Sequence, residues 1–432
     1  MKYINIDLNM SRIRIVGGKI TKHTVGSHNM YAEESIVFHS DKAIFEKGEE
    51  KGVTYGKPKK APPVAKSLLK CVVEFRPSKD WKGEFGFDWN RKSDSQMPVD
   101  EKYSDVVGKY GTLYATNPKA VFTQNNSLYF KHLLEYEMFV VDGYSRYYVP
   151  NMTLMKNEKA VLDAVIEISE QPDSMRYEYD KNIFQITILE KLSNKKGKHY
   201  NDKVIEIKCL KEFSSLQKIE LIATKDKINK KVGQINILPN NIVKDVNVVF
   251  IPVEHNGYIG SVKGNEIQIL INAFKQSYIN GKIKPEKKGI KIGDWWFDLF
   301  FTTKDKKGKV LMDTSNLRSI HRALDDKFFE DKKNDIYKDY YRLYMLPDGT
   351  LNGVAEDIGG NAKVVVVYQN RNDSTAPHEL MHAMGLYHTF DNDGKFTYKL
   401  HKTDNIMDYT HQVGKSRFST NKWQWKILNS NM

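Results

Sequence analysis

Up to about residue 60, apolar and polar positions alternate in short runs, "RIRIVGGKIT", "MYAEESIVFHS" and "KAIFEKG", separated by Gly, Ser, Asn and Lys. Successive side chains of a strand point to opposite faces, so the pattern predicts a β-rich leader over residues 1–60 with little core to bury. "YGKPKKAPPVAK" follows, and its Pro and Lys content predicts a linker. Alternation returns from 67 to 148 in "CVVEF", "GEFGFDW" and "RYYVP", with no long helical period. From 149 to 241 come "KAVLDAVIEI", "MRYEYD", "IFQITIL", "KVIEIKCL", "KIELIAT" and "GQINIL", parted by turn residues. Short strands at such spacing predict β-sandwiches, and the two segments are expected as tandem immunoglobulin-like modules, 67–148 and 149–241.

Near 245 the grammar changes. "VNVVFIPV" has the continuous apolar character of a strand buried on both faces. "GNEIQILINAFKQSYING" places Ile267, Leu270, Ile271, Phe274 and Tyr278 on one helical face, with Asn265 as cap and Gly281 as stop. "DWWFDLFFT" is expected as a strand, "TSNLRSIHRALDDKFF" as a capped helix, and "YRLYML" and "AKVVVVYQ" as strands. Alternating strands and helices imply a separate α/β (α+β) domain over 245–432. The expected fold class is therefore multidomain, all-β in front and α/β behind.

With 40% apolar and 28% charged residues in a chain of 432, wholesale disorder is excluded. No apolar stretch is long enough to span a bilayer, so stable membrane insertion is not expected. The first residues lack the apolar core and cleavage site of a secretory signal. The net charge of +13 is spread along the chain with Asp and Glu interleaved. That distribution supports a mild attraction to anionic surfaces and no nucleic-acid partner. Two cysteines, Cys71 and Cys209, make no disulfide framework and sit in strand-like apolar runs, where they are expected as small buried hydrophobes.

"HELMHAMGLYH", residues 378–388, changes the picture most. Ser374 or Thr375 can cap a helix there, and Pro377 suits its first turn, where the N–H has no partner anyway. Residues four apart share a helix face, so His378 and His382 can present imidazoles to one point. Glu379 can lean over that point without binding it, free to take a proton from a water. Gly385 can adopt the left-handed conformation that ends the helix, letting His388 return as third ligand. Three imidazoles with an open fourth position describe a catalytic Zn2+ site. His401 and His411, which flank residues 404–410, are expected as loop positions or as partners of the ligands; His255 and His321 stand alone.

Downstream is "DNIMDYT". The long histidine pattern with a later methionine turn resembles the metzincin zinc metallopeptidases. "GLYHTF", "NIMDYT" and "RFSTNKWQWKIL" look most like their pappalysin-like branch, although the cysteines common in secreted members are missing. The resemblance implies that Met407 is the apolar floor beneath the imidazoles and Tyr409 a donor to the oxyanion. It also implies that "AKVVVVYQ" borders the cleft, where Val364, Val365, Val366, Val367 and Tyr368 form either an edge strand that pairs with an extended peptide or an interior one. The front of the chain is similar to the delivery regions of bacterial polymorphic toxins and type VI secretion effectors.

Together these readings predict a zinc-dependent endopeptidase acting on a protein or peptide, the toxic domain of an effector. Such a chain is made in the cytoplasm, secreted without a signal peptide, and partnered by a secretion-machine component and a neutralising immunity protein. A cell-wall peptide hydrolase is the alternative enzyme. A structural or adhesive protein with an inactive zinc site is the alternative outside enzymes, and Glu379 and Tyr409 speak against it.

Overall fold

The computed structural model describes residues 4–8, 11–15, 70–112, 119–141, 144–286, 289–293, 295–313 and 317–432. The chain divides into two units, Met1–Ser67 and Leu68–Met432. Most of the expected leader, and the linker after it, lie outside the described residues. Within the leader, Ile4–Leu8 pairs antiparallel with Ser11–Ile15, Ile4 opposite Ile15.

In the second unit the alternating runs form one sandwich. Its first sheet runs in the order Phe184–Ile188, Gly197–Cys209, Lys159–Ile168, Cys71–Pro77. The second runs Ser174–Glu178, Gln217–Lys225, Ile228–Ile237, Asn151–Thr153, Gly86–Asp88. Phe75, Phe87 and Trp89 share a single core with Ile166, Ile205 and Ile235. The two modules expected over 67–148 and 149–241 are thus corrected to one, because Cys71–Pro77 and Gly86–Asp88 each add a border strand to a sheet made from the later segment. Period-two alternation sets the face a residue takes and carries no information on which strands pair. Cys71 and Cys209 are buried in this sandwich as expected, and burial pushes the Cys71 thiol up to about 12.

Between Trp89 and Val149 the chain leaves the sandwich. Two short helices, α1 (Tyr103–Val106) and α2 (Asn126–Leu133), flank the strands Val107–Tyr110 and Phe122–Gln124. The Asn125 side chain caps α2 by accepting from Leu128 N at 3.0 Å. Val107–Tyr110 also pairs with Thr397–Tyr398, far along the chain. Tyr103, Val107, Phe396, Tyr398 and Trp423 fill the small core between them.

The remainder is a mixed sheet with helices on both faces. Its main strands are β1 (Lys244–His255), β2 (Ile279–Pro285), β3 (Tyr341–Leu346), β4 (Gly353–Ala355) and β5 (Val364–Tyr368), and the short Tyr258–Ile259 and Ile290–Ile292 also pair with β1. β1 pairs in parallel with β2 and β3, β3 in parallel with β5, and β4 antiparallel with β5. Val248, Phe250, Val365 and Val367 pack on one face against α3 (Glu266–Gln276) and α6 (Thr375–Ala383). Val249, Ile251, Val364 and Val366 pack on the other against α4 (Trp295–Phe301) and α5 (Leu317–Phe329).

Two expectations are corrected here. "DWWFDLFFT" is the helix α4: Phe297 and Phe301, four apart, go inward, a helical spacing that the dense run of aromatics disguised. α3 begins after Asn265 as predicted and ends at Gln276, so Gly281 is no stop. Gly281 lies in β2, where a Cβ would come within 2.3 Å of the Phe274 ring. It lets the strand lie on its own helix.

Candidate metal centre

α6 starts after Ser374 and ends at Ala383, so His378 and His382 do lie one turn apart on one face. Gly385 takes φ +107°, as a left-handed exit requires, and the chain returns with His388. The three imidazoles meet. His382 Nε2 is 3.2 Å from His378 Nε2 and 3.1 Å from His388 Nε2.

The far side of each ring fixes its tautomer. His378 Nδ1 is 2.8 Å from the Ile406 carbonyl oxygen, His382 Nδ1 is 2.6 Å from that of Leu386, and His388 Nδ1 is 2.8 Å from Asp391 Oδ2. His382 and His388 Nδ1 face acceptors only and donate. His378 Nδ1 also has the Arg417 Nη1 donor at 3.0 Å, and the closer Ile406 carbonyl assigns it the proton, so each Nε2 is the nitrogen left to accept. Burial, then Arg417, holds His378 well below the usual imidazole range; burial, then His388, does the same to His382. Neutral rings with converging lone pairs repel one another unless a cation lies between them. His378, His382 and His388 can therefore hold a metal ion.

Glu379 follows the first ligand on the same helix. Its Oε2 accepts from Ala355 N of β4 at 3.2 Å. Burial pushes its carboxyl up to about 7, against the opposing pull of the Arg417 guanidinium and the Ala355 N–H. The close approach of β4 depends on Gly353, where a Cβ would stand 2.9 Å from both Glu379 Cγ and Thr375 Cγ2.

The methionine turn supports the centre through its backbone. Ile406 O takes the His378 proton, and Met407 O accepts from Thr389 N at 3.2 Å, beside the third ligand. Met407 itself is fully buried in the core that α6 closes. Tyr409 Oη is 3.0 Å from His388 Nε2, so it reaches the point where the ligands converge.

Of the residues singled out in the sequence, His378, His382, His388 and Tyr409 are brought together, and Glu379 adjoins His378 on α6 with its carboxyl on Ala355 N. Val364–Tyr368 is not an edge strand: β5 is buried throughout and paired on both sides, so that expectation is corrected to its interior alternative. Four apolar residues in succession are what burial on both faces requires. The three-residue β4 is the border strand instead, and nothing in "NGVAED" marks it as one.

Among the described residues, neither His401 nor His411 bonds to a ligand imidazole. His401 pairs with Gln412 Oε1 at 3.1 Å, and the His411 ring lies 5.9 Å from that of Tyr409. His255 binds Asp298 Oδ1 at 2.5 Å on the opposite face of the sheet, and His321 meets Val354 O at 3.2 Å.

Three residues of the centre went unnoticed in the sequence. Asp391, three after His388, orients that ligand, and a carboxylate so placed is a pattern open to detection. Asp408 braces the turn, accepting from Thr403 N and His401 N at 3.0 and 2.9 Å. Arg417 is buried behind the ligands, 3.0 Å from His378 Nδ1, and donates to Asp408 O at 2.7 Å and Ser374 Oγ at 2.8 Å. Comparison with protein-family models and with curated proteins gives no match to this chain. Among the described residues no helix is long and apolar enough to cross a membrane.

Proposed function

We propose that the chain is a zinc-dependent endopeptidase of the metzincin type, with His378, His382 and His388 as ligands. The convergence of three bare Nε2 atoms beside Glu379 carries this reading. Zinc fits the spacing: ligands about 2.0–2.1 Å from a tetrahedral ion lie about 3.3 Å apart, close to the 3.1 and 3.2 Å found. Bound there, the metal supplies Lewis acidity to a water and to a peptide carbonyl.

The chain's own groups do the rest. Glu379, tied to the border strand by Ala355 N, takes the proton of the attacking water and returns it to the leaving amine. Tyr409 Oη donates to the oxygen on which charge develops. The outer edge of β4 gives an extended peptide a strand to pair with, the role first looked for in Val364–Tyr368. A protein or peptide substrate follows from that edge.

The effector role, with its secretion-machine component and immunity protein, is supported by the likeness of the leader to toxin delivery regions. It includes synthesis in the cytoplasm and export without a signal peptide.

The test is digestion of a mixture of unfolded proteins by the wild-type chain and by Glu379→Ala, with new N-termini mapped by mass spectrometry. Both proteins should bind one zinc, and only the wild type should cleave, with a loss of about 10²–10⁴-fold in the variant. Equal cleavage by both would sink the mechanism. Silence from both on proteins, with release of peptides from peptidoglycan by the wild type, would move the substrate to the cell wall.

A further inference from the structure

α4 turns Phe297 and Phe301 into the core and leaves Trp295, Leu299 and Phe300 outside. Trp295 is 77% exposed and Leu299, one turn on, 66%; Phe300 is also exposed. Next to the helix, Tyr258 and Ile259, just past the end of β1, are 73% and 57% exposed. The pieces are joined. His255 of β1 holds Asp298 of α4, and Tyr258, Ile259, Lys309 and Val310 line one hollow of about 420 Å3. Large apolar side chains gathered this way mark a surface that something covers.

The charge around them points to what covers it. Lys291 precedes α4, and Lys304, Lys306, Lys307 and Lys309 follow it, all exposed. Lys291 pairs with Glu254 and Lys309 with Asp348, at 2.8 and 2.5 Å. Lys304, Lys306 and Lys307 make no ion pair among the described residues. The one carboxylate between them, Asp305, is engaged by its own turn, accepting from Lys307 N and Lys309 N at 2.8 and 2.9 Å. Long cationic side chains that closely follow an exposed tryptophan and leucine in the chain match a diffuse anionic layer over an apolar one. Trp is suited to that boundary, apolar in body with one N–H for the headgroups.

We propose that the α4 tip docks the protein on an anionic lipid surface, with Trp295 and Leu299 entering the headgroup boundary and Lys304, Lys306 and Lys307 meeting lipid phosphates. The attachment is shallow and reversible and spans nothing. α4 and α6 lie on opposite faces of the sheet, so docking leaves the histidine centre on the face away from the tip.

The full chain would be sedimented with vesicles of phosphatidylcholine and phosphatidylglycerol in equal parts, and with vesicles of phosphatidylcholine alone. Binding is expected to the first only and to weaken in high salt. Trp295→Ala/Leu299→Ala should lower partitioning by about ten-fold or more, from the apolar area withdrawn. Lys304→Glu/Lys306→Glu/Lys307→Glu, a change confined to exposed side chains, should lower it by at least about ten-fold. Melting curves like the wild type's would establish that both variants fold. The proposal is overturned if anionic vesicles bring down no protein, or if neither variant binds less. It is equally overturned if the chain instead forms a dimer that Trp295→Ala/Leu299→Ala dissociates.

Discussion

Glu379 is asked to be ionised in a place that disfavours charge. In the metal-free protein its carboxyl titrates at about 7, against an ordinary value of 4.5. Between those values the folded state keeps a proton that the unfolded state releases. Its contribution to stability is thus intact below about 4.5 and lost as pH rises through about 7. Glu379→Gln mimics the protonated form. Metal-free Glu379→Gln should unfold at the same denaturant concentration as wild type in acid, and be more stable above neutrality by on the order of 3 kcal/mol. An unchanged difference across the range would place the carboxyl in water. Tyr409 is open to a cleaner experiment, since the hydroxyl reaches the ligand point while the ring packs on His388, centres 4.9 Å apart. Tyr409→Phe keeps the ring. We expect it to bind zinc as wild type does, with kcat on unfolded protein down about 10²-fold; an unaltered kcat would remove Tyr409 from the mechanism.

At the scale of elements, what the sequence disclosed depended on range. His378 to His388 fall within one helix and its exit, so local rules sufficed to bring the three imidazoles together and to place the turn at Gly385. Asp391 was within the same reach and only needed asking for. β4 was not legible, because a three-residue strand has no period, and its position is set by two distant neighbours, β5 and Glu379. The interior place of β5 was half legible: "VVVV" reads as buried on both faces, which an edge strand rarely is. Arg417 was invisible for a different reason, since an arginine among polar residues reads as solvated until the fold buries it. β4 also carries a prediction. Gly353→Ala places a methyl 2.9 Å from Glu379 Cγ and Thr375 Cγ2, and the border strand or the glutamate must shift. Hydrolysis should drop at least about ten-fold while zinc affinity holds, because among the described residues no hydrogen bond joins the three imidazoles to the strand. Loss of zinc by Gly353→Ala would mean that β4 supports the ligands themselves.

Over the whole molecule, the segment that carries the third ligand and the methionine turn is gripped by residues near the front of the second unit. Arg91 Nη2 donates to Asp404 Oδ1 at 2.6 Å in a buried pair, 313 residues apart in the chain. Asn392 Nδ2 donates to Tyr110 O at 2.8 Å, and Lys422 N to Asp88 Oδ2 at 2.9 Å. The expected boundary at 245 marks a change of fold class without freeing the C-terminal domain from the front of the unit. A fragment of residues 245–432 should therefore fail to give a cooperative melting transition, and a sharp one would show the grip to be dispensable. In the full chain, Arg91→Ala strands the Asp404 carboxylate in the interior and should cost about 3–5 kcal/mol by denaturant titration. The same grip has a meaning in time. A ribosome delivers Asp88, Arg91 and Tyr110 early and their counterparts hundreds of residues later, while the leading parts of the chain are already folding. Until Asn392, Asp404 and Lys422 are made, each molecule holds one half of a clasp with nothing to close it on. The cleft we propose to be proteolytic is thus completed only after both halves of the clasp have left the ribosome, so a nascent chain that stops short of Asp404 has no assembled cleft.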